Sequence, residues 1–69
     1  MFVEPLTPRE HAVLEHLPTM MTNTEIAHQL LVSVNTVKTH LKSVYRKLGV
    51  DRRRDAVLRA KQLEILERA

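Results

Sequence analysis

The sequence predicts an all-α fold of four helices around one small core, and three observations carry that expectation. The chain of 69 residues has one glycine and three prolines, all the prolines within the first 18 residues, which leaves little material for turns between strands. Thr7-Pro8-Arg9-Glu10 and Thr22-Asn23-Thr24-Glu25 each place a threonine three residues ahead of a glutamate, the capping-box signature of a helix start. Apolar residues downstream recur three and four apart, the interval that lines one face of a helix.

The first helix is expected over about residues 8–17. Thr7 caps it, Pro8 takes the first helical position where no N–H is needed, and Val13, Leu14 and Leu17 form its buried stripe. Pro18 disfavours an α conformation at Leu17 and ends the helix there, leaving Thr19, Met20 and Met21 as a connector with the methionines as core filler. The second helix, about 23–30, starts at the Thr22 cap and turns Ile26, Ala27 and Leu30 inward. Ser33 is the next good N-cap, so Leu31-Val32 is a tight turn of the helix-turn-helix kind, although the glycine often found there is missing.

The third helix, about 34–48, carries the strongest functional signal. Val37, Leu41, Val44 and Leu48 recur at steps of four, three and four and face a core. Lys38, Lys42 and Arg46 recur at steps of four on another stripe, beside Thr39 and Ser43. No acidic residue occurs between Glu25 and Asp51, so the outward face is cationic and free of carboxylates that would repel a polyanion. Gly49 suits the left-handed position after the helix, and Arg46 and Lys47 either complement the helix dipole or contact phosphate.

The fourth helix is expected over about 52–66 with Asp51 as its cap. Arg52, Arg53 and Arg54 in its first turn run against the dipole, so they need another reason: Glu10 or Glu25 as ion-pair partners, above all of Arg53, or a nearby phosphate. Ala56, Ala60 and Leu63, with Val57 at the margin, give one apolar face. Leu58 and Ile65, with Gln62 between them, give a second that suits helix-to-helix dimerisation. Residues 1–5 read as a linker remnant or tag, 6–66 as the domain, and 67–69 as a frayed end.

Composition excludes several classes. With Phe2 and Tyr45 the only aromatics, the core is built from Leu, Val, Ile and Ala, and a chain this short has room for one core only. There is no cysteine, hence neither a disulfide framework nor a thiolate metal site. His11, His16, His28 and His40 are separated by five, twelve and twelve residues, which puts no two on one helical face, so no metal is expected. No glycine-rich phosphate loop and no carboxylate pair on one helix is present, so neither enzymatic activity nor a cofactor is expected. No apolar run approaches the roughly twenty residues that span a bilayer and no signal-peptide pattern opens the chain, which makes a cytoplasmic setting the expectation. The net charge is +3, consistent with an acidic partner.

With these motifs in order, the chain resembles the LuxR-type (GerE-like) helix-turn-helix domain of bacterial transcription regulators. The carriers are Leu6-Thr7-Pro8-Arg9-Glu10, Thr22-Asn23-Thr24-Glu25-Ile26-Ala27, Val32-Ser33-Val34-Asn35-Thr36-Val37-Lys38-Thr39-His40-Leu41 and Tyr45-Arg46-Lys47-Leu48-Gly49-Val50 with Ala56-Val57. The resemblance implies sequence-specific binding of double-stranded DNA, with the third helix in the major groove and the fourth mediating a homodimer. By position it places base reading on Lys38, Thr39 and Lys42, where lysine suits guanine O6 and N7 and the threonine methyl suits thymine. Phosphate contacts fall on Thr22, Asn23, Thr24, Asn35, Thr36, Ser43, Arg46 and Lys47, and the dimer face on Leu58, Gln62 and Ile65. The implied partners include RNA polymerase and the N-terminal regulatory domains of a longer chain, and the Val3 to Thr7 approach is similar to that of MalT-type regulators. Two departures stand out: Met20 where the family commonly has glycine, and Arg52 where it commonly has a small polar cap. Two other readings remain, a helical protein-interaction module with a basic face and a DNA-binding domain like sigma-factor region four.

Overall fold

A computed structural model describes residues 4–66. Four helices follow one another, α1 (Pro8–Glu15), α2 (Asn23–Leu30), α3 (Val34–Leu48) and α4 (Arg53–Gln62), with no strand among the described residues. The expected frayed end at 67–69 and the first three residues of the expected linker lie outside that range.

Side-chain oxygens start three of the helices. Thr7 Oγ1 accepts the Glu10 N–H at 3.2 Å while Glu10 Oε1 accepts the Thr7 N–H at 2.9 Å, and Thr22 and Glu25 repeat both bonds at the same lengths. Ser33 Oγ accepts the Thr36 N–H at 3.0 Å. The fourth start departs from expectation: Arg52, not Asp51, holds the cap position, with no side-chain cap bond, and the helix begins at Arg53 rather than 52. Asp51 is instead exposed beside Arg52, 3.9 Å away.

The ends differ more. Regular α1 stops at Glu15, two residues before the expected Leu17, because Pro18 has no N–H to continue the ladder and crowds the turn before it. The last turn tightens to i→i−3 bonds, His16 N–H to Val13 O at 3.1 Å and Leu17 N–H to Leu14 O at 3.0 Å, and Leu17 still reaches the core. The other three helices end on one device, a left-handed residue followed by an N–H that reaches back to the last turn. Leu31 (φ 58°), Gly49 (φ 71°) and Glu64 (φ 60°) supply the left-handed residue. Val32, Val50 and Ile65 supply the returning N–H, to Ala27 O, Tyr45 O and Ala60 O at 3.0, 2.9 and 2.8 Å. Only the middle one is glycine, so the missing turn glycine is replaced by a leucine that accepts the strained conformation.

At α4 this device changes the reading of a whole face. The helix ends at Gln62, not 66, and Glu64 reverses the chain so that Ile65 and Leu66 fold back against the core beside Leu63. Leu58 and Ile65 therefore do not share a helical face, and the expected dimer set loses Ile65. A smaller correction falls on the connector: Met21 packs against the core, but Met20 is 98% exposed and fills nothing.

The core consists of Val13, Leu14, Leu17, Ile26, Ala27, Val37, Leu41, Val44, Leu48, Ala56 and Ala60, with α3 at its centre touching each of the other helices. All four residues of the expected α3 stripe are buried. Ala56 and Ala60, one turn apart and fully buried, let α4 approach α3 closely. That packing fixes one face of α3 and leaves the opposite face to solvent.

Candidate nucleic-acid interface

α2, the Leu31 to Ser33 turn and α3 form a helix-turn-helix, and the outward side of α3 is where the candidate residues gather. Asn35, Lys38, Thr39, Lys42 and Arg46 are all exposed, whereas Thr36, His40, Ser43 and Lys47 are partly withdrawn at its margin. Thr39 Oγ1 donates to the Asn35 carbonyl at 3.0 Å, so its one donor is engaged and its methyl and lone pairs remain for a base edge. Thr36 Oγ1 lies 2.8 Å from the Ser33 hydroxyl, which holds the first turn of α3. At the start of α2, Thr22 and Thr24 are exposed and Asn23 half-buried, with the Thr22 hydroxyl engaged in its cap. The two helix N-termini, at Thr22 and Ser33, carry N–H groups and partial positive charge of the kind that suits a phosphate.

In three dimensions the acid-free stretch is interrupted. Two carboxylates from the N-terminal segment come over the last turns of α3. Glu10, nearly buried in α1, accepts from Lys47 Nζ at 2.7 Å through Oε1 and from Ser43 Oγ at 2.5 Å through Oε2. Lys47 Nζ also donates to the Pro5 carbonyl at 3.1 Å and lies 3.9 Å from Glu4, and its side chain is only 8% exposed. Glu4 meets Arg46 Nη1 at 3.4 Å, with both side chains more than half exposed. Burial alone would push the Glu10 carboxyl up, but hydrogen bonds from Lys47, Ser43 and Thr7 and the Lys47 charge pull it down from the ordinary 4.5 to about 2.

These contacts correct two phosphate assignments and refine a third. Lys47 and Ser43 are turned inward onto Glu10, so neither is offered to a backbone outside. Arg46 stays on the outer face but starts with a partner. The alternatives of dipole and phosphate for Arg46 and Lys47 left out ion pairing to α1 and its approach. The sequence offers Glu10 as an ion-pair partner of Arg53, but no local pattern points it to Lys47, 37 residues further along.

Arg53 is also resolved differently. Its Nε donates to Leu17 O at 3.1 Å and its Nη2 to Thr19 O at 3.0 Å and His16 O at 3.4 Å, so it ties α4 to the end of α1. The expected partners are occupied elsewhere, Glu10 by Lys47 and Glu25 by its own cap, where hydrogen bonds from Thr22 lower its pKa. The clue is Pro18: it has no N–H to carry the helix on, so the carbonyls at the end of α1 and in the connector lack their helical N–H donors, and a guanidinium fork suits them. Of the expected dimer residues, Leu58 is 50% exposed and Gln62 is exposed, while Ile65 is turned in.

Among the described residues no group of three or more His, Asp or Glu side chains is placed to hold a metal ion, and no helix is long and apolar enough to cross a membrane.

The family model of bacterial regulatory proteins of the luxR family matches residues 4–60. Among solved structures, the response regulator ChrA of a heme-sensing two-component system superposes with a TM-score of 0.88 at 38% sequence identity, over 96% of this chain and 33% of that one. The transcription factor GerE superposes with a TM-score of 0.83 at 34% identity, over 90% of this chain and 92% of that one. The chain thus spans a third of the ChrA chain and nearly all of the GerE chain.

Proposed function

This chain belongs to the luxR family of bacterial regulatory proteins and has the GerE-type helix-turn-helix fold of its DNA-binding domains; from that premise we propose that it binds specific double-stranded DNA sites as the output domain of a bacterial transcription regulator, with residues 6–66 as the binding unit and α3 in the major groove. Lys38, Thr39 and Lys42 read base edges, and Thr22, Asn23, Thr24, Asn35, Thr36 and Arg46 hold phosphates. A second copy meets it across α4 at Leu58 and Gln62, so that two domains occupy paired half-sites. The reading places the protein in the cytoplasm, with RNA polymerase and N-terminal regulatory domains as further partners.

One observation supports this reading above the rest: Lys38 and Lys42 are exposed on a rigidly held helix face, and no carboxylate pairs with either among the described residues. A face that only solubilised the domain would have no use for keeping acids away from its centre while placing them at its edge. The test is affinity for a selected site and for random duplex, each across a salt series. Log affinity falls steeply with log salt for both, while the preference for the selected site is retained. Lys42→Ala lowers affinity for the selected site by about 1 to 3 kcal/mol and leaves thermal stability unchanged. Equal losses on selected and random DNA reject the base-reading role of Lys42, and absence of any site preference rejects the function.

A further inference from the structure

The three side chains given to base edges differ in what they can exchange with a base. Lys38 and Lys42 are exposed and carry N–H donors only, so each asks for an acceptor. Thr39, exposed beside them, is the one member of the set that can accept. Its hydroxyl has a single proton, and that proton goes to the Asn35 carbonyl at 3.0 Å, one turn back in the same helix. Thr39 therefore brings a methyl group and oxygen lone pairs to a base edge, and no donor. The buried stripe Val37, Leu41, Val44 and Leu48 holds α3 against the core, which fixes the place of these groups relative to the two lysines. In the major groove thymine shows its C5 methyl beside the O4 acceptor, and cytosine shows its N4 donor beside a bare C5. Thymine matches Thr39 through the methyl alone, because O4 faces lone pairs unless the bond to Asn35 is given up. Cytosine matches through N4 alone. A cytosine methylated at C5 offers both groups at once.

We propose that Thr39 is a reader of 5-methylpyrimidines whose best complement is 5-methylcytosine, so that the affinity of the domain for its site responds to C5 methylation of the DNA; this rests on the reading of α3 as the helix in the major groove. The methyl of Thr39 packs on the methyl of the base, and Oγ1 accepts from N4–H while still donating to Asn35. Each contact removes something a competitor lacks. Unmethylated cytosine leaves the Thr39 methyl without its counterpart, thymine leaves the lone pairs of Thr39 facing an acceptor, and uracil does both.

The experiment measures, by fluorescence anisotropy, the affinity for duplexes that carry a site selected from a random pool. The pyrimidine of each base pair is replaced in turn by cytosine or 5-methylcytosine opposite guanine, and by thymine or uracil opposite adenine. At one position in a half-site, 5-methylcytosine is expected to bind more tightly than cytosine, and thymine more tightly than uracil, by about three- to fivefold each, the worth of burying one methyl group. Thr39→Ser keeps the hydroxyl and removes the methyl, and both ratios fall to one. Thr39→Val keeps a methyl and removes the acceptor, so thymine still exceeds uracil, while the ratio of 5-methylcytosine to thymine falls by about threefold or more, the worth of one hydrogen bond. Thr39 is exposed, and circular dichroism melts confirm that both variants are folded. The proposal is overturned if no position responds to the base methyl groups, if the response survives Thr39→Ser, or if Thr39→Val leaves the ratio of 5-methylcytosine to thymine unchanged. In all three outcomes the preference for the selected site over random duplex stands, whereas failure of the DNA-binding reading abolishes that preference.

Discussion

The Glu10 carboxylate holds together the start of α1, the middle of α3 and its last turn, so its removal is the perturbation with the most to reveal. Glu10→Ala deletes the bond that caps Thr7, leaves the Ser43 hydroxyl without its acceptor, and strands the Lys47 ammonium under cover with only the Pro5 carbonyl and a distant Glu4. Loss of a cap costs about 1 kcal/mol. Breaking a buried pair on one side costs about 3 to 5 kcal/mol in a deep core, and less here at the edge of a small domain, so a total of about 2 to 4 kcal/mol is expected. A domain of this size has about 3 to 10 kcal/mol in all, so the variant is largely unfolded well below the wild-type melting temperature.

The pH dependence gives an independent handle on the same group. Because its folded pKa of about 2 lies below the ordinary 4.5, Glu10 contributes its full stabilisation above about pH 4.5 and loses it as the pH falls toward 2. A carboxylate held that far down corresponds to about 3 kcal/mol, which solvent screening at the domain edge reduces to about 1 to 2. Urea denaturation followed by circular dichroism, at a series of pH values from 7 to 2, measures both effects. Glu10→Gln keeps the shape and loses the charge, so its stability curve is flatter than wild type below pH 4.5. Lys47→Met relieves the stranded ammonium and recovers part of the loss in the Glu10→Gln background. A Glu10→Gln domain within about 0.5 kcal/mol of wild type, with the same slope below pH 4.5, would refute the reasoning.

Two further outcomes follow from the geometry. Leu31→Gly is expected to stabilise the domain by about 0.5 to 1 kcal/mol, since relief of a left-handed leucine is worth about 1 to 2 and the added flexibility of glycine in the unfolded chain costs about 0.5 to 1. Leu31 is 92% exposed, so little packing is lost, and a melting temperature that stays level or drops contradicts the account. Glu4→Gln frees Arg46 for phosphate and is expected to raise DNA affinity about two- to fivefold at low salt, the range set by an exposed ion pair. The gain vanishes in an Arg46→Gln background; an equal gain there assigns it to the general field of the protein instead.

The parts of the fold legible in the sequence are those fixed by local chemistry. Thr7, Thr22 and Ser33 are caps because a short side-chain oxygen next to helix-forming residues satisfies N–H groups within three residues of itself. The α3 stripe was legible because its period alone separates Val37, Leu41, Val44 and Leu48 from Lys38 and Lys42. The misread parts depend on distant chain. Lys47 reads as a surface cation until Glu10, 37 residues earlier, is brought against it. Arg53 lacks any local partner, and its acceptors are carbonyls exposed by a proline 35 residues away that no pattern of charges reveals. The sequence pattern continues the helix through Ile65, because nothing in it marks Glu64 for the left-handed conformation that turns the chain back after Gln62.

The two carboxylates over α3 divide that helix in a way its sequence alone does not. Lys38 in its second turn and Lys42 at its middle have no ion pair among the described residues, whereas Arg46 and Lys47 near its end are matched by Glu4 and Glu10. The negative end of the helix dipole coincides with the neutralised pair, whereas the free lysines stand in the second and third turns, beyond the reach of the dipole's positive end. The field that α3 offers a polyanion is therefore concentrated on its first three turns, not spread along its length. For the proposed DNA complex this sets an orientation before any base is read: the N-terminal half of α3 is drawn toward the phosphates, and the C-terminal half, secured to α1, serves as its support. Such a division predicts that charge removed at Lys38 or Lys42 weakens binding more than charge removed at Lys47, although all three belong to one basic helix.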